Sequence, residues 1–383
     1  MPFEGGAFQY SQTILEAVSA LPRDRFDVLV AFTNDSWNRL LKNYELQVLQ
    51  VSLGIWKFFP GKRLSGYLPM TIWRGTCPYF HSPARILRAQ QCDLWIFPAQ
   101  DIHSYLLPLP ALSTIHDLMH RYEPHFPEVT AKGEYDKRER HYRTMCRWAK
   151  GIVVDSEIGR KQVSESYNIK PQVIHVLPFV APANSLRASA SCLSDEIRYL
   201  PRKFILYPAQ FWQHKNHRIL IIALALLRKK IPDLHLVFTG TQKNGYSLLQ
   251  SLIYNLNVKQ NITFSGYVSD QDMTGIYRRA RAMMMPTFFG PTNIPPLEAM
   301  AHGCPTAVSD VYGMRDQLGH AALYFNPHSA QDVARIMEQL WCDDSLCEEM
   351  SHRGFLHHSQ WNQKHFNERL LHILGKIFPH VNL

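Results

Sequence analysis

Short apolar runs of strand length recur along this chain with helical patterns between them. The alternation is laid down twice, on either side of an Ala- and Ser-rich stretch at the midpoint. In the first half the runs are Phe26–Phe32 (FDVLVAF), Asp93–Phe97 (DLWIF), Ala111–Ile115, Gly151–Asp155 (GIVVD) and Val173–Leu177, with helical patterns that include Tyr10–Leu21 and Glu157–Tyr167. In the second half strand patterns at Phe204–Tyr207, His235–Thr239, Ile262–Phe264, Ala282–Met285 and Pro305–Val308 alternate with helical ones at Arg218–Lys229, Ser247–Asn255, Asp270–Arg281 and Pro296–His302. Apolar strands bracketed by helices predict parallel sheets covered on both faces, hence an α/β chain with two doubly wound, Rossmann-like domains. Such sheets take ligands beyond the carboxyl ends of their strands, so the default expectation is a site in the cleft between the halves. Ala181–Ser194 (APANSLRASASCLS) reads as the interdomain linker.

The length, 383 residues, suits two to three domains at roughly 150 residues each. With 46% hydrophobic and 12% aromatic residues there is material for two buried cores, which argues against wholesale disorder. The longest apolar run, Ile219–Leu227, has nine residues, against the roughly 18 of a membrane-spanning helix. The opening MPFEGG has neither a basic head nor an apolar stretch, so no signal peptide is expected. Seven cysteines without a C-x-x-C pair favour reduced thiols in the cytosol, and the sequons at Asn34 and Asn261 then carry no meaning. A net charge of +9 points to an anionic partner: nucleic acid, a phosphorylated ligand or a membrane surface.

Walker, nucleophile-elbow and H-E-x-x-H motifs are absent from the sequence. His116 and His120 (HDLMH) stand four apart, but directly after a strand, on a loop where that spacing does not align them. No metal site is expected. Gly5-Gly6 precede a helix, where bare amides and the macrodipole suit phosphate oxygens, although such a pair is also an ordinary turn. Lys215, in PAQFWQHKNH after a strand, would reach a diphosphate as a point charge, or be a solvated helix-start lysine. Asp270 reads as an N-cap after Gly266-Tyr267-Val268-Ser269. FGPTNIPPLEAMA, Phe289–Ala301, leads a Pro- and Gly-dense loop into a helix whose first turn carries Glu298, suited to sugar hydroxyls or simply to the helix dipole.

Together these stretches resemble the bacterial family 4 glycosyltransferases, retaining enzymes of the GT-B fold that use nucleotide-sugar donors. The pieces occur in family order: the GG with Tyr10 after it, STIHDL, VVDSEIGRKQV, FILYPAQFWQHKNH, FSGYVSDQDMTGIYRRARAMMMPTFFGPTNIPPLEAMAHGCPTAVSD and AALYFNPHSAQDVA. The resemblance spans nearly the whole chain and is strongest in the second half. It implies an acceptor-binding domain over 1–185, a linker over 186–200, a nucleotide-sugar domain over 201–360, and a helix over 361–383 that packs back on the first domain.

Residue by residue, the resemblance implies that Gly5 and Gly6 meet the donor phosphates. It sets His116 near the transferred sugar and the reaction centre, Lys215 on the diphosphate, with Gln210 five residues before it, and Tyr267 and Val268 at the base. Thr292, Asn293 and Ile294 address sugar and phosphate through their loop, and Glu298 takes the ribose hydroxyls. His116, Lys215 and Glu298 would be the catalytic set. The implied reaction moves a hexose from a GDP- or UDP-linked donor to a saccharide or lipid-linked saccharide acceptor in polysaccharide or lipopolysaccharide assembly. Mannose is the first sugar to test. The mechanism implied is front-face attack, without metal or other cofactor. Three departures stand out. Gln210 replaces a basic residue, Gly290 replaces the first Glu of an E-x7-E motif, and the chain starts where a first strand should have ended. The first two also fit a catalytically silent GT-B protein that binds a sugar nucleotide or a partner enzyme. A nucleic-acid partner rests on charge alone and is not expected.

Lys132–Lys150 holds seven basic and three acidic residues. A helix so charged predicts reversible attachment to an anionic membrane surface, or an ordinary solvated face. The expected location is the cytoplasm, with the inner face of the plasma membrane as a peripheral docking surface.

Overall fold

A computed structural model describes residues 5–51, 69–182 and 194–379. The chain divides into two compact units, one of Met1–His116, Asp136–Leu177 and His365–Leu383, the other of Asp117–Tyr135 and Pro178–Lys364. Most of the linker expected at 186–200 lies outside the described residues.

The first unit carries two parallel sheets. One pairs β1 (Leu29–Phe32) with β2 (Gln47–Gln50); the other runs β3 (Trp95–Phe97), β4 (Ala111–Thr114), β5 (Gly151–Val154), β6 (Ile174–Val176). β4 and β5 are buried along their whole length, β5 (GIVV) as an apolar run without polar alternation requires. Helix α1 (Gly6–Ser19) buries Phe8, Tyr10, Ile14, Leu15 and Ala17. After β5, the Ser156 hydroxyl caps the Glu157–Tyr167 helix by accepting from the Gly159 N–H at 3.1 Å, and left-handed Asn168 ends it. Phe366, Leu370, Ile373 and Leu374 of the Gln363–Ile377 helix are buried, and the Phe366 ring meets Tyr10 edge-on.

The second unit is one six-stranded parallel sheet, in the order β12 (Leu323–Phe325), β11 (Thr306–Ser309), β10 (Ala282–Met285), β7 (Ile205–Pro208), β8 (Leu236–Thr239), β9 (Ile262–Phe264). Its first strand, β7, sits centrally, in register with β8 through Ile205↔Leu236 and with β10 through Ala282↔Ile205. The chain winds outward from β7 on one side through β8 and β9, and on the other through β10 to β12. The β7–β10 boundary is therefore the switch point at which doubly wound sheets bind ligands. The His217–Leu227 helix buries Ile219, Leu220, Ile221, Ala223, Leu224 and Leu227 and packs against the Ala330–Cys342 and Tyr246–Leu256 helices.

Strand patterns agree with the structure to within a few residues: the Phe26–Phe32 run, for example, forms a strand only over Leu29–Phe32. β2 escapes the apolar-run criterion because it is a mostly exposed QVLQ, and β12 was not marked as a strand in the sequence. The helices Met70–Phe80 and Ser82–Ala89 were not marked in the sequence either.

Pro178–Pro182 and Asp117–Tyr135, both assigned by the sequence reading to the first domain, group with the second unit. Met119, Phe126 and Val129 form a buried cluster with Phe289, and Tyr312 donates its hydroxyl to Glu123 at 2.5 Å. Apolar burial, not chain continuity, decides the membership of this segment.

Candidate functional site

The loop after β7 presents Lys215 in a short turn, Gln213–Lys215. The Tyr207 hydroxyl donates to the Lys215 carbonyl at 2.8 Å. Asn216, left-handed at φ 56°, donates to the Pro286 and Pro327 carbonyls. These bonds anchor the turn between the strand ends. Burial lowers the Lys215 ammonium to about 8, opposed only by the Asp117 carboxylate. A cation held this way gains strongly from an anion brought to it.

His214, its neighbour, is tied to Glu128. Glu128 Oε1 accepts from the His214 backbone N–H at 3.0 Å and its ring Nδ1 at 2.6 Å, while Oε2 accepts from Asn244 Nδ2 at 3.0 Å. Burial alone would raise the Glu128 carboxyl, but the two His214 bonds and Asn244 hold it at about 2. Burial lowers the His214 imidazole, with Glu128 working the other way. The pair is therefore a carboxylate and a neutral imidazole whose Nδ1–H donates.

The loop after β10 lies against this turn, with the Phe288 N–H donating to the His214 carbonyl at 2.9 Å. It holds Thr292, Asn293 and Ile294, all buried, and enters the Pro295–Ala301 helix. Gln317 takes both backbone groups of Asn293: its Oε1 accepts from the Asn293 N–H at 3.0 Å, and its Nε2 donates to the carbonyl at 2.9 Å. The Asn293 amide expected to address phosphate is thus engaged inside the fold. Gly290 has φ 139°, and a Cβ on it would lie 2.6 Å from Asn293 Nδ2. Glycine stands at the motif position of the first Glu because the Asn293 carboxamide fills that space.

Glu298, 7% exposed, accepts from the Tyr277 hydroxyl at 3.0 Å. Gln210 accepts from the Trp212 indole N–H at 2.9 Å. Tyr267 is exposed and Val268 half-buried, on the loop after β9. Gly266, at φ 63°, turns that loop, and its carbonyl accepts from the Gly240 N–H.

In the first unit, Gly5 caps α1 at φ 90°, and Gly5 and Gly6 are exposed at a helix start without acidic residues. His116 Nε2 donates to the Pro98 carbonyl at 3.1 Å, which assigns the ring proton, and the Tyr10 ring meets the imidazole edge-on at 5.0 Å. The GG–Tyr10 segment and His116 therefore share one unit. Lys215, Gln210, Thr292, Asn293, Ile294, Glu298, Tyr267 and Val268 share the other. Among the described residues no group of three or more His, Cys, Asp or Glu is arranged to hold a metal ion.

Glu128, Asp117, Tyr277 and Gln317 escaped the sequence reading. Each acts through a partner between 21 and 98 positions away, a distance at which spacing is silent.

The exposed side of the Glu134–Trp148 helix carries Lys137, Arg140, Arg143 and Arg147 together with Asp136. Arg143 pairs with Glu139 at 2.6 Å. No helix among the described residues is long and apolar enough to cross a membrane.

Residues 195–357 match the family described as glycosyl transferases group 1. The chain is 25% identical to mannosylfructose-phosphate synthase of Agrobacterium fabrum over 271 residues, 66% of this chain and 60% of that protein. It is 26% identical to O-antigen chain mannosyltransferase B of Escherichia coli over 243 residues, 62% of this chain and 63% of that one. The chain thus spans about three fifths of the length of these relatives. The crystal structure of Anabaena Alr3699/HepE in complex with UDP and glucose superimposes with a TM-score of 0.70 at 17% identity, covering 97% of this chain and 96% of that one. Parallel sheets wound outward from a switch point, with its turn lysine and proline-rich helix entry, are thus those of a chain that has the GT-B fold and carries a glycosyl transferases group 1 domain over residues 195–357.

Proposed function

We propose that the protein is a retaining hexosyltransferase that takes its sugar from a nucleoside diphosphate donor and builds a polysaccharide or lipid-linked saccharide. The observation that carries this reading is Lys215: a partly desolvated ammonium, lowered to about 8, fixed at the switch point of a doubly wound sheet. Negative charge grows on the diphosphate as the glycosidic bond breaks, and a preorganised cation stabilises that charge more than it stabilises the ground state. Lys215 takes the diphosphate in this reading and Glu298 the ribose hydroxyls. Gln210, Thr292, Asn293 and Ile294 shape the sugar and phosphate pocket, and Tyr267 and Val268 flank the base. The exposed amides at Gly5 and Gly6 and the imidazole of His116 serve donor phosphates and transferred sugar from the first unit. GDP-mannose is the first donor to test, because O-antigen chain mannosyltransferase B is among the similar proteins. The acceptor is a saccharide, free or lipid-linked, met in the cytoplasm or at the inner face of the plasma membrane.

A second reading, a silent GT-B protein that binds a sugar nucleotide or a partner enzyme without turnover, draws on the engaged Asn293 amide and on Gly290 and Gln210. The experiment is a thermal-shift screen of GDP- and UDP-sugars followed by donor turnover in EDTA. Stabilisation with turnover in chelator supports the transferase. Stabilisation without turnover favours the silent reading, and turnover restored only by manganese refutes the metal-free mechanism.

A further inference from the structure

The turn that carries Lys215 is three residues long, Gln213–Lys215, and a single turn forms unfavourably on its own. Its carbonyls are taken by neighbouring strands and loops: His214 by the Phe288 N–H at 2.9 Å, Lys215 by the Tyr207 hydroxyl at 2.8 Å. Its first two N–H groups are taken by side chains. Asn244 Oδ1 accepts from Gln213 at 3.2 Å, and Glu128 Oε1 accepts from His214 at 3.0 Å. The same Oε1 accepts from the His214 ring at 2.6 Å, while Glu128 Oε2 accepts from Asn244 Nδ2 at 3.0 Å. One carboxylate thus holds the backbone and side chain of the residue before Lys215 and, through Asn244, the residue before that.

Glu128 is itself firmly placed. Its side chain is 7% exposed, and it stands between Phe126 and Val129, both buried in a cluster with Met119 and Phe289. The Phe126 ring stacks on Phe288, with centroids 5.7 Å apart, so the residue that takes the His214 carbonyl packs against the neighbour of the residue that takes its N–H. Charge is not the route by which Glu128 acts on the lysine. The carboxylate that opposes the effect of burial on the Lys215 ammonium is Asp117, and Glu128 has no part in it. The Glu128 charge is engaged by His214 and Asn244, whose bonds hold its carboxyl far below the usual range.

We propose that Glu128 is a positioning residue for the diphosphate of the donor: by bonding His214 and Asn244 it fixes the turn that aims Lys215. It acts through the lysine and not by contact with the donor. The proposal rests on the reading of Lys215 as the cation that meets the diphosphate. A lysine on a loosened turn keeps its charge and loses its aim, and a cation that must reorganise stabilises an anion less than one already in place.

Titration calorimetry of full-length variants with GDP and with UDP tests this. In Glu128→Gln the side-chain oxygen can still serve His214, but the new amide then faces the Asn244 amide, donor against donor. Kd for the nucleotide that the parent binds should rise about tenfold. Adding Asn244→Asp lets that amide donate to a carboxylate that still accepts from Gln213, and Kd should return to within about threefold of the parent. In a Lys215→Ala background Glu128→Gln should change Kd by no more than about twofold, because the residue it positions is gone. Tyr312→Phe cuts the other hydrogen bond that ties this segment down, the one to Glu123, and should leave Kd within about twofold. An unchanged Kd in Glu128→Gln overturns the proposal, as does failure of the Asn244→Asp rescue. Equal weakening by Tyr312→Phe, or equal weakening with and without Lys215, overturns it too, since Glu128 would then only help the segment to pack. A parent that binds neither nucleotide, or a Lys215→Ala chain that binds like the parent, refutes the reading of Lys215 and this proposal with it. A loss in Lys215→Ala without one in Glu128→Gln removes Glu128 alone. Should Glu128→Gln fail to fold, Asn244→Ala, at an exposed position, releases the same turn and should raise Kd about threefold. An unchanged Kd there overturns the proposal.

Discussion

Gly290 and Asn293 compete for one volume: a Cβ on the glycine would sit 2.6 Å from the asparagine Nδ2 and 3.0 Å from its Oδ1. The backbone at Gly290, φ 139°, adds strain for any other residue. Gly290→Ala should therefore destabilise by about 1–3 kcal/mol in urea unfolding. Asn293→Ala in the same chain should recover only part of that loss, because it relieves the clash and not the φ. A Gly290→Ala protein as stable as the parent would show that the loop moves freely.

Lys215→Ala should raise the donor KM and lower kcat, with about 2–4 kcal/mol lost in kcat/KM, the scale of one preorganised electrostatic group. Lys215→Arg should restore the charge but not the fit in a turn fixed by Tyr207 and Asn216, and recover only part of the activity. Steady-state kinetics with the donor found by screening decides, and unchanged constants in the alanine variant would remove Lys215 from the site.

The same ammonium sets a pH dependence. Lys215 is lowered to about 8 in the unliganded protein, and a bound diphosphate would draw its pKa back upward. Binding therefore takes up a proton above pH 8. The Kd of the nucleoside diphosphate should be flat below pH 8 and rise with pH above it, by up to tenfold per unit, until the pKa of the complex is passed. Titration calorimetry in buffers of different ionisation enthalpy measures the proton uptake directly. In Lys215→Ala both effects should vanish.

Glu128 makes an acid-side prediction. Its carboxyl is held at about 2, below its ordinary value of 4.5, so its contribution to stability is complete above pH 4.5 and is lost as the pH falls toward 2. His214, lowered from 6.5, works in the same direction over its own range, since charging it costs stability in the folded state. Glu128→Gln should remove about 1–2 kcal/mol at pH 7 and flatten the stability profile between pH 4.5 and 2. An unaltered slope would assign the acid sensitivity to other carboxylates.

Lys137, Arg140, Arg143 and Arg147 recur at three- and four-residue spacing on the exposed side of one helix. Each cation near an anionic leaflet contributes about 1 kcal/mol, within a Debye length. Sedimentation with anionic liposomes should be strong at low salt, fall as salt rises, and weaken on charge reversal at Arg140, Arg143 and Arg147. Equal binding to neutral vesicles, or no binding to anionic ones, would leave the helix as ordinary solvated surface.

The sequence was legible where one physical rule acts alone. Gly151–Val154 and Ala282–Met285 are buried on both faces and announce themselves as apolar runs. Gln47–Gln50 is mostly exposed, so its residues obey solvent and hide the strand. The Lys215 turn was legible because it follows a strand and opens a helix. Its supports were not: the Glu128 bond to His214 spans 86 positions, and the Gln317 grip on Asn293 spans 24. The same limit explains Asp117–Tyr135, whose membership is fixed by Phe289 and Tyr312 far along the chain.

The division of the chain bears on how it is made. The first unit draws on Phe366, Leu370, Ile373 and Leu374, and the second draws on Asp117–Tyr135, so each is a mosaic of early and late sequence. The first unit's core can therefore close only after the Gln363–Ile377 helix has left the ribosome. Cutting at the Ala- and Ser-rich midpoint strands Phe289 without Met119, Phe126 and Val129 on one fragment, and Tyr10 without Phe366 on the other. Neither half is an independent piece, and the nascent chain depends on staying soluble until the Gln363–Ile377 helix emerges.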